Sequence, residues 1–345
     1  MEGRKLLRKK QEETIPIDDY IKGLLAGNRI CLSKSITLIE SEKKNHWEAG
    51  QRLLKQIMPY TGKSLRIGIT GIPGAGKSTF INRFGKLLLE KGHKVAVLSI
   101  DPTSPFSQGS LLGDKTRMED LANADNAFVR PSPSGGHLGG VHRKTRESIL
   151  LCEAAGFDVI LVETVGVGQS EIDIRSMTDL TILLTITGGG DDLQGMKKGI
   201  METADMILVN KADGENKRAA HRLKRELEQL LHIFQSSQGF WKTKVFVVSS
   251  LTGEGVKEVW EEVQAFIHSG KELGEFQKRR QSQLVDWLKG SVKEQLLQSF
   301  YSLDDIKKEY VNLEEAVSSG RMPVTEASER LIKLYFSVIK NMDEK

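Results

Sequence analysis

The chain has 345 residues, of which 28% are charged and 39% hydrophobic, and a formal net charge of +4. That composition describes a folded globular protein with room for one large domain plus extra helices, and its near-balanced charge leaves no footprint for a nucleic-acid partner. Two isolated cysteines, Cys31 and Cys152, make neither a disulfide framework nor a metal site. The basic start Met1–Lys10 is not followed by the apolar stretch of a signal peptide, and no apolar run reaches the roughly 18 residues of a membrane span, so the expectation is a cytoplasmic protein with no membrane partner.

In chain order, residues 1–62 read as an N-terminal helical extension. Ile17, Ile21, Leu24 and Leu25 recur at helical spacing, as do Ile36 and Ile39, then Leu53, Leu54 and Ile57. Gly62–Lys63 is the expected boundary. Residues 63–269 alternate β-branched runs with amphipathic segments. Strands are predicted at Leu65–Thr70, Lys94–Ile100, Ala127–Arg130, Asp158–Glu163, Leu180–Ile186, Met206–Asn210 and Lys244–Ser249. Helices are predicted at Lys77–Lys91, Val141–Ala155, Lys197–Ala204, Lys217–Leu231 and Val256–His268. Such alternation implies an α/β fold with a mostly parallel central sheet flanked by helices, and ligands at the carboxyl ends of its strands. Residues 270–345 return to helix: Leu284, Leu288, Val292, Leu296 and Phe300 form one stripe, and Leu331, Leu334, Tyr335, Val338 and Ile339 a second. This C-terminal arm is expected either to pack on the core or to form a dimer surface.

The first strand runs into Gly71-Ile72-Pro73-Gly74-Ala75-Gly76-Lys77-Ser78, the G-x-x-x-x-G-K-[ST] phosphate loop, with an amphipathic helix after it. Its glycines let backbone N–H groups, including that of Ala75, turn toward a phosphate, and the helix start adds partial positive charge. Lys77 is expected to reach the β- and γ-phosphates and the Ser78 hydroxyl to bind Mg²⁺. The apolar strand Ile207–Val209 ends in Asn210-Lys211-Ala212-Asp213. There the Asp213 carboxylate can accept from guanine N1–H and the exocyclic amine. Adenine lacks that donor pair and leaves the carboxylate unpaired at a cost of about 1–3 kcal/mol. Lys211 can lay its stem over the base, and Asn210 is expected to tie this loop to the phosphate loop. Ser249-Ser250-Leu251 ends a later strand, where a second guanine contact is expected. The structural alternative for Asp213 is a helix N-cap.

Three acids are candidates for the magnesium shell: Asp101 at a strand end, Asp114 in Gly113-Asp114-Lys115-Thr116, and Glu163 in Glu163-Thr164-Val165-Gly166. The last resembles the D-x-x-G segment of GTPases, with Gly166 N–H placed to sense the γ-phosphate. For each acid the alternative is a cap or a surface ion pair. Two loops, Gly135–Gly140 and Gly188–Asp192, are rich in glycine and are candidates for segments ordered by the γ-phosphate. His137 lies in one of them and His142 five residues on, and both are read as polar contacts rather than metal ligands. No general base stands out, and Gln169 is not assigned that role.

Together these segments resemble the MeaB/ArgK/MMAA family of GTPases associated with methylmalonyl-CoA mutase. The matching stretches are Gly71–Thr79, Asp101–Ser104, Gly113–Met118, Arg130–Gly140, Val162–Glu171, Gly188–Asp205, Asn210–Asp213 and Ser249–Gly255. Val162–Glu171 and Arg130–Gly140 are long and specific. The resemblance implies a homodimeric GTP hydrolase that binds GTP or GDP with Mg²⁺ and chaperones an adenosylcobalamin-dependent acyl-CoA mutase, gating cofactor loading and protecting the mutase. By position it implies that Lys77, Glu163 and Gly166 act in hydrolysis and that Gly71, Gly74, Ala75, Gly76, Ser78 and Thr79 hold phosphate. Asn210, Lys211, Asp213, Ser249, Ser250 and Leu251 would hold the base, and Ser78, Asp101, Asp114 and Glu163 would surround the metal. Ile186–Lys197, with Asp191, Asp192 and Lys197, would be an extra switch facing the mutase. Ser250 stands where the family commonly has Ala, and no cobalamin-binding D-x-H-x-x-G pattern occurs, which places cobalamin in the partner. Competing readings are a metallochaperone GTPase and an ArgK-type kinase linked to basic amino-acid transport; the chain lacks a kinase catalytic loop.

Overall fold

The structure, a computed structural model, describes residues 15–41, 43–100, 118–131, 138–164, 174–188, 204–234 and 240–343. Asp101, Asp114, Gly166, His137, Gln169, Asp191, Asp192 and Lys197 lie outside the described residues, as does the predicted helix at Lys197–Ala204 except for its last residue.

Three helices come first: α1 (Ile17–Leu25), α2 (Arg29–Glu40) and α3 (Lys44–Ile57). Asn28 caps α2, its Oδ1 accepting from Ile30 N and Cys31 N at 2.9 and 3.1 Å. The apolar positions read from spacing are the ones that bury: Ile17, Ile21, Leu24, Ile36, Ile39, Leu53, Leu54 and Ile57. Leu25, just off that stripe, is exposed.

Next come β1 (Leu65–Gly71), α4 (Lys77–Glu90), β2 (Val95–Ile100), α5 (Glu119–Asn123), β3 (Ala127–Arg130) and α6 (Leu138–Ala154). Then follow β4 (Val159–Thr164), β5 (Leu180–Ile186), β6 (Met206–Asn210), α7 (Lys217–Phe234), β7 (Lys244–Val247) and α8 (Val256–Glu272). The strands form one seven-stranded sheet in the order β3-β2-β4-β1-β5-β6-β7, with every neighbouring pair parallel. All seven predicted strands are present, with ends shifted by two residues at most. Parallel strands are covered on both faces, which is why they read as unbroken apolar runs. Side chains alternate between two cores. Ile67, Ile69, Leu161, Ile182, Leu184 and Leu208 face α4 and α8, whereas Leu183, Ile207 and Val209 face α7. The helices α2 and α3 pack on α6.

The placement of β1 decides where a ligand can sit. Its two neighbours, β4 and β5, are consecutive strands. The chain therefore builds one half of the sheet, returns to β1's side, and builds the other half. The loop after β1 opens at that change of direction, where doubly wound sheets bind ligands.

The opposite, amino-terminal edge of the sheet carries an ionic clamp that the sequence did not announce. Arg280 donates to both oxygens of Asp179, just before β5, at 2.7 and 2.6 Å, and to the carbonyls of Gly62 and Ser64. Arg279 does the same for Asp205, just before β6, at 3.1 and 3.0 Å. Both arginines open α9 (Glu275–Ser302), which is followed by α10 (Asp304–Ser318) and α11 (Val324–Asp343). The chain divides into two compact units, Met1–Arg280 and Gln281–Lys345. In the second, Ile306 and Leu313 of α10 pack against Ala327 and Leu331 of α11, with Phe300, Leu334 and Tyr335 beside them. The stripe Leu284, Leu288, Val292 and Leu296 on α9 is exposed, each residue by about half or more (49–65%). No helix among the described residues is long and apolar enough to cross a membrane.

Candidate nucleotide site

The phosphate loop is shaped by backbone that only glycine supports. Gly71 has φ +145°, and a Cβ there would lie 2.1 Å from the Leu184 carbonyl oxygen of β5. Gly76, at φ 85° and ψ 31°, begins α4, and a Cβ on it would press on Asn210 Nδ2 at 2.8 Å. No side chain caps the start of α4. Its first N–H groups therefore point into the loop, as a phosphate requires. Lys77 is buried, and its Nζ donates to the carbonyls of Gly71 at 2.7 Å and Ile72 at 3.2 Å. The ammonium is thus held across the mouth of the loop.

The neighbouring strand supplies a carboxylate. Glu163 on β4 is buried, and its Oε1 accepts from Ser78 Oγ at 2.9 Å. The two residues are 85 apart in sequence. They meet because β4 pairs with β1 and both strands end at the same height, Ile69 lying opposite Glu163. Beside them Thr164 Oγ1 donates to Thr70 Oγ1 at 2.8 Å, closing the seam between the two strand ends. A hydroxyl and a carboxylate oxygen in contact are the hard donors that Mg²⁺ selects, so this pair fits the ion. Of the four residues expected around the metal, Ser78 and Glu163 are described and adjacent.

The base loop is held from several directions. Asn210 is buried at the end of β6; its Nδ2 donates to the Ala75 carbonyl of the phosphate loop at 2.7 Å. Its Oδ1 accepts from Ser250 N at 3.1 Å and from Ser250 Oγ at 2.8 Å. One amide therefore joins three loops, and the hydroxyl that distinguishes Ser250 from alanine adds a contact. Asp213 precedes a short 3-10 turn, Gly214–Asn216, but makes no side-chain cap to it. Its Oδ1 instead accepts from Ser249 Oγ at 2.9 Å. That one bond fixes the carboxylate plane and leaves acceptor capacity for a base edge. Ala212 N donates to Val248 O, drawing together the two segments expected to hold the base.

Sequence reasoning missed Arg83 on α4. Its Nη2 donates to the Leu251 carbonyl at 3.1 Å, and its guanidinium lies where a Cβ on Gly253 would clash. The helix after the phosphate loop thereby grips the loop that follows β7 directly. Leu251 itself turns its side chain outward and is 73% exposed. No local signal marks Arg83, because its partner lies 168 residues away.

Comparisons with known proteins agree with this arrangement. A family model described as methylmalonyl-CoA mutase-associated GTPase MeaB matches residues 32–305. The protein named GTPase ArgK of Escherichia coli (strain K12) is 46% identical over 322 residues, covering 92% of this chain and 97% of that protein. A Mus musculus protein named methylmalonic aciduria type A homolog, mitochondrial, is 42% identical over 331 residues, covering 93% of this chain and 80% of that one. The crystal structure of a LAO/AO transport system kinase is similar with a TM-score of 0.74 and 38% identity, covering 92% of this chain and 97% of that one. A phosphate loop and an N-K-x-D loop on one parallel sheet, matched along nearly the whole chain, place this protein in the MeaB family of methylmalonyl-CoA mutase-associated P-loop GTPases.

Proposed function

We infer that this GTPase is the GTP-driven chaperone of an adenosylcobalamin-dependent acyl-CoA mutase, methylmalonyl-CoA mutase being the best-supported client. It gates cofactor loading and protects the mutase, works as a homodimer in the cytoplasm, and uses GTP with Mg²⁺. Membership of a family described by its association with that mutase supports the client. The observation that carries the hydrolytic half is the contact between Ser78 and Glu163 beside Lys77; the single bond from Ser249 to Asp213, which leaves that carboxylate acceptor capacity, supports guanine as the base.

Each residue has a task. The uncapped start of α4 and Lys77 bind the phosphates and stabilise charge that develops on them as a water attacks in line. Ser78 and Glu163 would hold Mg²⁺, with Asp101 and Asp114 proposed to complete its surroundings. The bound ion would supply neutralisation of the charge on the phosphates. Gly166 is proposed to sense the γ-phosphate. Gly71, Gly74, Ala75, Gly76 and Thr79 line the phosphates; Asn210, Lys211, Asp213, Ser249, Ser250 and Leu251 surround the base. No side chain is assigned as general base, so intrinsic turnover is slow and a partner accelerates it.

The test is GTP turnover by the purified chain with and without the adenosylcobalamin mutase of the same organism. Stimulation, lost in Lys77→Ala and altered in Lys197→Ala, supports the chaperone and puts the signal in Ile186–Lys197. No stimulation and no complex on a sizing column overturns the client assignment. The transport-kinase relative keeps a second reading in view. A kinase of that kind would favour ATP, and the Asp213 carboxylate favours guanine.

A further inference from the structure

Lys211 is the one residue other than glycine with positive φ among the described residues, at 59°. A residue with a side chain disfavours that left-handed conformation, so the surroundings must hold it. Its carbonyl accepts from Asn216 Nδ2 at 2.7 Å. The same Asn216 accepts at Oδ1 from Thr187 Oγ1 at 2.5 Å, and its backbone N–H donates to the Asp213 carbonyl at 3.2 Å. Asn216 thus touches both ends of Lys211–Asp213. Thr187 follows directly on β5, which is paired on one side with β1 and on the other with β6. One half-buried side chain, outside the N-K-x-D motif, therefore ties the base loop to the centre of the sheet.

We propose that Asn216 is the positioning residue that sets guanine selectivity, pinning Lys211 in its left-handed conformation and anchoring the loop on Thr187. The proposal rests on the guanine-loop reading above and adds a residue to it. Lys211 places its stem over the base only while its backbone is held, and Asp213, two residues on, reaches the base edge only from the same loop geometry. Slack at Asn216 therefore costs most where discrimination depends on Asp213, the exocyclic amine that GTP has and ITP lacks. Lys77 and Ser78 begin α4 and Glu163 lies on β4, away from this loop, so the chemical step is left alone.

The experiment measures turnover of GTP, ITP, XTP and ATP by the full chain and by Asn216→Ala, Thr187→Val and Asp213→Asn, with thermal unfolding of each. Asn216→Ala is expected to raise KM for GTP about tenfold, with kcat within about twofold, and to lower the GTP-to-ITP preference. Thr187→Val moves the same quantities in the same direction by less. A residue with only a structural role would lower the unfolding temperature and leave base preference intact. Unchanged KM and base preference in both variants, or a fall in kcat at constant KM, overturns the proposal. If Asn216→Ala does not fold, Thr187→Val decides, since it leaves the bond to Lys211 in place. The controls separate the two levels. Should the parent chain treat GTP and ATP alike and Asp213→Asn fail to gain XTP, the guanine reading falls and the proposal with it. Should those controls behave while both loop variants are silent, the proposal alone falls.

Discussion

At the scale of single residues, the site is built by side chains and glycines that have no room to change. Gly71 is the clearest case, because the Leu184 carbonyl occupies the place of its missing Cβ. Gly71→Ala must part β1 from β5 at the mouth of the phosphate loop. The expected cost is about 3 kcal/mol of stability together with loss of nucleotide binding. Denaturant unfolding and titration with a fluorescent GDP analogue check both; a variant that binds with parental affinity contradicts the geometry. Asp213 shows the opposite economy, since a single bond from Ser249 orients it and leaves the rest of its capacity for ligand. Cys152 has no such role. Burial pushes its thiol far above the usual range, so it is an unreactive part of the core.

At the scale of elements, partly buried ion pairs join secondary structures that share no sequence. The end of α2 meets the end of β3 through Glu40, which accepts from Arg130. Burial raises the Glu40 carboxyl above its ordinary value, outweighing the opposing pull of Arg130 and Lys144. A raised folded-state pKa means the native state holds this proton more tightly than the unfolded chain. The group's favourable contribution is complete below the unfolded value and is lost as pH rises through the folded one. Glu40→Gln cannot lose it. The stability difference between variant and parent should therefore move in the variant's favour as pH rises above the ordinary glutamate range. Denaturant midpoints across that rise test the sign, and a flat difference would rule out burial as the dominant influence on this carboxyl. The Arg279 and Arg280 clamps follow the same pattern at the opposite edge of the sheet, where Asp179 and Asp205 also accept from the backbone N–H groups of Arg66 and Thr181 at 2.8 Å. Breaking one partner of such a cluster strands a buried charge, which makes the cluster rigid rather than adjustable.

At the scale of the whole molecule, the exposed stripe on α9 is the feature a single chain leaves unexplained. Leu284, Leu288, Val292 and Leu296 repeat at helical spacing yet face outward. Contiguous exposed apolar surface of this kind marks an interaction surface. If the proposed homodimer uses it, Leu288→Glu converts the dimer to monomer on a sizing column coupled to light scattering, with intrinsic GTP turnover unchanged. A dimer that persists moves the interface elsewhere.

The sequence by itself determined the local parts: seven strands, the phosphate loop, the N-K-x-D segment and the family they share. Each depends on residues within a few positions of one another, where apolar period, glycine and motif spacing act directly on the backbone. Two 3-10 turns, Met58–Tyr60 and Gly214–Asn216, and the short helix α5 went unseen because so few residues carry no period. Only the tertiary structure decided which distant side chains meet. Ser78 reaches Glu163 because β4 is the neighbour of β1. Arg83 reaches Leu251 across 168 residues, and Arg280 reaches Asp179 across 101. Strand order is set by how the helices cover both faces of the sheet, a property of the packed whole with no footprint in any one segment.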